Sequence, residues 1–354
     1  MVNIKKYFHK KKVLITGHTG FKGAWLTFLL VNSGANVLGI SKDIPTSPSL
    51  FRILKLDKYI SSKKVDVRNL KKFKKSFLNF DPDYVFHLAA QAIVQKSYKD
   101  PLETWSTNLN GTLNLLECLK SQKKKSISVI ITSDKTYKNI ETNKGYLETD
   151  KLGGVDPYGA SKSAADIAII SYIQSYFNSK KNKKIISIAR AGNVIGGGDW
   201  SDYRLIPDCF KNWIKKKPVT IRSPISTRPW QNVIDVINGY VTLAIKTKVN
   251  NNLHGESFNF GPKTKKNYKV IDILKIIKTQ WPEAKWKIKK DKFFFENSLL
   301  HLNSNKAKKI LNWETKINFY KNIKMTIKWY QEYKKGNDMR KFTLKQIKDV
   351  INFK

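Results

Sequence analysis

The stretch KKVLITGHTGFKGAWLTFLLVNSG, residues 11–34, decides the fold. It opens on a short apolar run, Val13 to Ile15, that reads as a buried strand. It closes on an apolar helical pattern that Gly34 terminates. Between them lies GHTGFKG, with Gly17, Gly20 and Gly23. Glycines there let the backbone approach a pyrophosphate, and the helix N-terminus stabilises that anion. The spacing is GxxGxxG rather than GxGxxG. A glycine loop alone often serves only as a turn. One set between strand and helix predicts a dinucleotide site.

The same alternation runs outward from this unit. ANVLGIS, KKVDV, YVFHLAA, ISVIITS and KKIISIARAGNV read as further strands. PLETWSTNLNGTLNLLECLK and DPYGASKSAADIAIISYIQSYF read as long helices. Such alternation implies βαβ units, so the fold class is α/β, a Rossmann-type doubly wound parallel sheet. Ligands in such sheets bind beyond the carboxyl ends of the strands. After Gly192 the rhythm breaks into loops rich in Gly, Pro and Trp: GGGDW, RSPISTRPWQ and FNFGP. The expected organisation is a dinucleotide-binding domain over residues 1–192, with 231–261 packing back on it. Residues 193–230 and 262–354 form a smaller C-terminal substrate-binding lobe.

The 354 residues are enough for one large domain or two ordinary ones, and 41% hydrophobic residues can build a core. No run of about eighteen uncharged apolar residues is present, which argues against a transmembrane helix. The basic N-terminus feeds a glycine loop rather than a small-residue cleavage site, which argues against a signal peptide. Cys118 and Cys209 have no metal-ligand spacing, so no metal is expected, and they fit a reducing cytoplasm. The net charge of +40 invites a nucleic-acid reading. Yet only seven of the 67 basic residues are arginine, and lysines occur in nearly every segment. That is a compositional bias on exposed faces, better suited to attracting an anionic substrate.

Chemistry gathers at the strand ends. The second strand ends in Ser41, Lys42 and Asp43, where an acid should hold the adenosine ribose. Asp43 suits the ribose hydroxyls of NAD, and Lys42 suits the 2′-phosphate of NADP. Asp66, after the third strand, either bonds the adenine or caps a helix. The fifth strand runs into Ser133, Asp134 and Lys135. The pattern YxxxK recurs through this lysine-rich chain, but only Tyr158 opens a helix after the fifth strand. Residues at i and i+4 share a helix face, so Lys162 is expected to lower the phenol pKa and to hold a cofactor ribose. A phenolate so poised takes a hydroxyl proton as hydride leaves the same carbon. Arg204 and Arg228, scarce arginines, suit bidentate diphosphate recognition or a structural ion pair. Trp230 either lines a nucleotide pocket or packs. The long loop KNIETNKGYLETDKLGGVDP, residues 138–157, is expected to act as a lid.

TGHTGFKG, FHLAAQ, TNLNGT, TSDKTY, DPYGASK and RAGNVIGGGDW together resemble the extended short-chain dehydrogenase/reductase superfamily. More narrowly, TSDK, GGGDW, IPD, RPWQNV and the tail DMRKFTLKQI are similar to the CDP-glucose 4,6-dehydratase family, across essentially the whole chain. The resemblance implies tightly bound NAD and a redox-neutral cycle on a nucleotide sugar. Tyr158 would deprotonate the glucose 4-hydroxyl while hydride passes from C4 to NAD, and Ser133 would bond the same oxygen. The 4-ketone acidifies C5. Loss of water across C5 and C6, then hydride return to C6 with reprotonation of C5, would give CDP-4-keto-6-deoxyglucose. Asp134 matches the acid for the departing 6-hydroxyl. Lys135 stands where related dTDP-glucose dehydratases carry a glutamate as C5 base. It serves as base only with a depressed pKa; otherwise it stabilises the enolate.

The resemblance also implies contacts. Ala89, Ala90, Gln91 and Asn108 would meet cofactor or substrate. Thr19, Phe21, Lys22, Val67, Leu88 and Thr132 join the cofactor site. Asn193 and Glu296 would meet the nucleotide sugar, and Asp235 resembles a structural residue. The superfamily implies a homodimer or homotetramer through the helices around Thr104 to Lys120 and Tyr158 to Tyr176, with no nucleic-acid or membrane partner. Departures touch substrate fit more than chemistry. Gln95 stands where the family often has arginine, Ser298 and His301 where other residues are usual, and Asn143 and Lys144 where the lid often carries tryptophan. Two other readings compete. One is a dehydratase or epimerase acting on GDP-mannose, a GDP-heptose or dTDP-glucose; the SDK run argues against the epimerase. The other is a non-catalytic Rossmann sensor or nucleic-acid binder, which has no need to keep both Tyr158 and Lys162.

Overall fold

A computed structural model of the chain describes residues 3–142, 144–179, 181, 183–263, 268–289 and 300–351. The main strands are β1 Lys12–Thr16, β2 Asn36–Ser41, β3 Ser61–Lys64, β4 Tyr84–His87, β5 Ser126–Ile131, β6 Lys184–Ala191 and β7 Ser257–Phe260. Among the described residues they form one seven-stranded sheet, in the order β7-β6-β5-β4-β1-β2-β3. Every pairing is parallel. Strand order reverses between β1 and β4, which opens a crevice at their carboxyl ends.

Helices cover both faces, which is why the inner strands read as unbroken apolar runs. Side chains of a strand alternate between faces. Val13 and Ile15 therefore pack with Trp25 and Leu29 of α1 (Phe21–Asn32), and with Ile237 and Val241 of a helix over Val233–Val249. Leu14 packs on the other face with Phe73 and Phe77 of α2 (Leu70–Phe80). Leu115 and Leu119 complete that face from a helix over Gly111–Ser121. Each such side chain, fully buried, contributes about 1.5–3 kcal/mol.

The predicted helix over 101–120 is one path with a defect. It comprises α3 (Pro101–Trp105), a π-turn over Ser106–Asn110, and α4 (Gly111–Ser121). The other long helix is α5 (Pro157–Tyr172), which runs on into a second π-turn. Beyond β6 come α6 (Leu205–Ile214) and α7 (Val233–Val249). A short parallel pair joins Val219–Ile221 to Trp286–Ile288. Phe210 of α6 stacks on Tyr330, with ring centroids 4.0 Å apart, and so ties the lobe to the helix Phe319–Lys334. Asp235 accepts hydrogen bonds from the backbone N–H groups of Lys316 and Ile317, both at 3.1 Å, a structural tether. No described helix is long and apolar enough to cross a membrane.

Three expectations are corrected. FNFGP is not a loop throughout, because Phe258–Phe260 belong to β7. Asn259 disguises the strand in the sequence, yet it is fully buried. Its Oδ1 accepts from the Tyr137 hydroxyl at 2.7 Å, and its Nδ2 donates to the Tyr146 carbonyl at 2.8 Å. The third strand ends at Lys64, so Val65 to Val67 lie beyond it. The predicted lid is a fastened strap over much of its described length. Tyr146 stacks on Tyr137 at 5.2 Å and its N–H donates to the His301 carbonyl. The Asn259 N–H donates to Glu148 Oε1 at 2.8 Å, and Arg190 donates to the Glu148 carbonyl at 3.0 Å. Those bonds hold it to β6 and β7.

Candidate active site

The turn after β5 is built from its own side chains. Ser133 Oγ accepts from the Lys135 N–H at 3.2 Å and donates to Asp134 Oδ1 at 3.0 Å, capping a single 3₁₀ turn over Asp134–Thr136. Thr136 Oγ1 donates to Asp166 Oδ2 on α5 at 2.7 Å. Asp166 in turn pairs with Arg190 of β6 at 3.2 Å, both side chains buried. Asp134 is buried and Lys135 half-buried. A Cβ on Gly192 would stand 1.7 Å from Asp134 Oδ2, so only glycine leaves room for that carboxylate.

Asp156 and Pro157 start α5 beside this turn. Asp156 Oδ1 accepts from the Gly159 N–H at 2.9 Å, and proline at the first helical position has the right φ already. Tyr158 therefore sits in the first turn of α5. Burial pushes its phenol up to about 12. A side-chain interaction with Ser133 pulls it down, and the charge of Asp134 pushes it up. The expectation that Lys162 lowers this pKa is thus corrected: taking both groups out of water outweighs their proximity. Lys162 is itself lowered to about 7, chiefly by burial and then by the Lys22 charge. Its Nζ donates to the Ile131 carbonyl at 3.4 Å. Lys22 is lowered to about 8 by burial and by Arg204, with Asp134 and Asp199 opposing.

These groups open into a cleft of about 330 Å³. Ser133, Asp134, Lys135 and Tyr158 form one wall, with Phe21 and Lys22 from the glycine loop beside them. Asn193, Arg204, Arg228 and Trp230 line the same cleft. Asn193 holds a φ of +37°, uncommon for a residue with a side chain. Arg204 lines the cleft and also makes a structural ion pair, donating to Asp199 Oδ2 at 3.2 Å. Trp230 also does both, lining the cleft and packing on the core. Gln95 lines the cleft too. Sequence reading passed over Asp199, Asp208 and Arg222, all on the same walls. Arg222 was within reach, by the scarcity argument that singled out Arg204. Asp199 stood inside a quoted motif, but its partnership with Arg204 is a tertiary fact.

The cofactor side lies at the ends of β1 to β4. Gly17 has φ +72°, and a Cβ there would stand 2.7 Å from the Ala89 nitrogen, so glycine keeps β1 and β4 close. Gly20 caps α1 with no side-chain hydrogen bond, which leaves the first N–H groups of a twelve-residue helix for an anion. Thr19 Oγ1 donates to the Asp43 carbonyl at 2.7 Å. His18, held neutral at about 4 by burial, joins Ser41 Oγ at 2.9 Å and Ser62 Oγ at 2.8 Å. Val67 and Leu88 pack on the cores beneath, while the Thr132 hydroxyl is buried with no hydrogen-bond partner among the described residues. The residues present fit a dinucleotide: a glycine cradle, an uncapped helix start, the half-buried Lys22 and the buried Lys162.

Other expected contacts are already engaged within the protein. Gln91 Nε2 donates to Thr104 Oγ1 at 2.9 Å, and Asn108 bridges the Gln91 N–H and carbonyl. Both are buried and support the loop that carries Ala89 and Ala90, rather than lining the cleft. The buried acceptors and donors of that loop need partners, and these amides supply them. Asp66 pairs with Arg68 at 2.6 Å, and the cap of α2 is Asn69 instead. Glu296, Ser298 and Asn143 lie outside the described residues.

A parallel sheet with a glycine cradle, and a Ser–Tyr–Lys group at the next crevice, define an extended short-chain dehydrogenase/reductase. The family model described as GDP-mannose 4,6 dehydratase matches residues 14–326, and the chain belongs to that family. It is 38% identical over 352 residues to the CDP-glucose 4,6-dehydratase of Salmonella typhimurium, covering 98% of each chain. Among solved structures it is similar to the epimerase Mth375 of Methanothermobacter thermautotrophicus, with a TM-score of 0.81, 24% identity and 96% of each chain covered. It is also similar to the dTDP-glucose 4,6-dehydratase of Bacillus anthracis in complex with NAD, with a TM-score of 0.75 and 19% identity, covering 93% and 99% of the two chains.

Proposed function

We propose that this chain dehydrates CDP-glucose to CDP-4-keto-6-deoxyglucose. The observation that carries the reading is the Ser133–Asp134–Lys135 turn facing Tyr158 in one cleft. The Salmonella relative, at 38% identity over nearly the whole chain, supports the choice of CDP-glucose. NAD, when bound, supplies the acceptor for the C4 hydride and returns it to C6. The chain does the proton work. Tyr158 takes the 4-hydroxyl proton, with the Ser133 hydroxyl on the same oxygen. The resulting ketone acidifies C5. Lys135 takes the C5 proton or stabilises the enolate left by its removal, Asp134 acts as the acid for the departing 6-hydroxyl, and C5 takes a proton back as hydride arrives at C6. Arg204 and Arg228 suit the diphosphate. Glycines 17, 20 and 23 with Lys22 suit the cofactor pyrophosphate, and Lys162 suits its ribose.

Leu102 is 80% exposed, Ile167 57% and Tyr176 54%, on or beside helices α3 and α5. That apolar surface supports a homodimer packed through these helices. The two free, buried cysteines support a cytoplasmic location. The test is direct: incubate the protein separately with CDP-glucose, GDP-mannose and dTDP-glucose, and follow the alkaline absorbance of a 4-keto-6-deoxy product. Product from CDP-glucose is expected; its absence sinks the proposal.

A further inference from the structure

At the end of β2, where an acid normally holds the adenosine ribose, the chain carries Ser41 and Lys42. The Ser41 hydroxyl is engaged by His18. The Lys42 ammonium is engaged by Glu103 of α3, with Nζ 2.5 Å from Oε1. Lys96 holds the other oxygen of the same carboxylate at 2.7 Å. Only 16% of the Glu103 side chain is exposed. Hydrogen bonds from Lys42 and then Lys96 hold its carboxyl down to about 2, so it is ionised at any working pH. Asp43 is exposed, and its carboxylate has no partner among the described residues. Glu103 is thus neutralised on both oxygens by Lys42 and Lys96.

We propose that Glu103 sets the cofactor preference toward NAD, by adding from α3 a negative charge beside the end of β2 and by holding Lys42 away from a 2′-phosphate. The inference deepens the NAD-dependent reading above and rests on it. A ribose 2′-hydroxyl is neutral, so it leaves the Lys42–Glu103–Lys96 cluster intact and finds acceptors beside it. A 2′-phosphate would bring close to two negative charges up to a half-buried carboxylate. It would also have to win both lysines from an ion pair already made on both oxygens. Discrimination of this kind works by repulsion as much as by attraction.

The test is a nucleotide exchange. The full-length chain is equilibrated with an equimolar mixture of NAD⁺ and NADP⁺, the protein is separated, and the released nucleotides are quantified by chromatography. Wild type should retain NAD⁺ over NADP⁺ by about tenfold or more, and Glu103→Gln should move the ratio about tenfold toward NADP⁺. Adding Lys42→Met to Glu103→Gln should remove that gain. A wild-type ratio near unity overturns the proposal, and this arm needs no variant to fold. A folded Glu103→Gln with the wild-type ratio overturns it too. If wild type retains neither nucleotide, the cofactor reading fails and takes this inference with it. Retention of both without discrimination defeats only the inference.

Discussion

The two ends of the ligand groove treat polar side chains in opposite ways. At the ends of β1 to β4 the protein pairs them with itself: His18 between two serines, Asn108 on Gln91, Glu103 between two lysines, Asp66 on Arg68. Where α1 and α5 meet the catalytic cleft, burial works against charge instead. Lys22, Tyr158 and Lys162 are held where burial penalises their charge, with pKa values moved to about 8, 12 and 7. Paired groups fix a shape, while buried groups whose charge burial opposes keep a chemical potential that a ligand can use. One end is a mould for a cofactor and the other a store of reactivity.

If that contrast is right, the largest loss comes from the reactive end. Tyr158→Phe should cut turnover about a thousandfold while nucleotide retention stays near wild type. Turnover within tenfold of wild type would remove the phenol from the chemistry. Lys135→Met should slow turnover about a hundredfold and block uptake of solvent deuterium at C5 of the recovered sugar. Undiminished deuterium uptake would leave Lys135 as an electrostatic group only. Gly192→Ala tests the packing around the acid. Its methyl would meet Asp134 Oδ2 at 1.7 Å, so the carboxylate must move, and kcat should fall about tenfold with KM little changed.

The smallest effect is one of pH. The folded Lys162 sits near 7 against an ordinary 10.5, so between those values the folded chain binds fewer protons than the unfolded one. Stability therefore rises with pH across that window, and the penalty is complete below it. Lys162→Met should raise the melting temperature more near pH 6 than near pH 10. An equal offset at both would show that Lys162 does not carry the burial penalty, and would weaken the contrast between the two ends.

Much of the frame was legible because both faces of the sheet are buried. Val13 to Ile15 and Ile127 to Ile131 read as strands for that reason, and the glycine loop between β1 and α1 fixed the topology's starting point. Ser133, Asp134, Lys135 and Tyr158 were legible because strand ends carry the chemistry of such sheets. β7 was not, since Asn259 hides in a strand only by virtue of Tyr137, 122 residues away. Nor could residue type say that Asn108 would bond the Gln91 backbone.

The sequence alone determined most of the sheet, the cradle and which residues would gather beyond β5, because apolar periodicity and glycine placement are local in the chain. The tertiary structure decided which charges are spent and which are kept. Lys42 meets Glu103 across 61 residues, and Tyr158 lies high rather than low in pKa because the fold removes it from water. Desolvation and long-range pairing depend on what the chain brings together in space, and no local pattern encodes that.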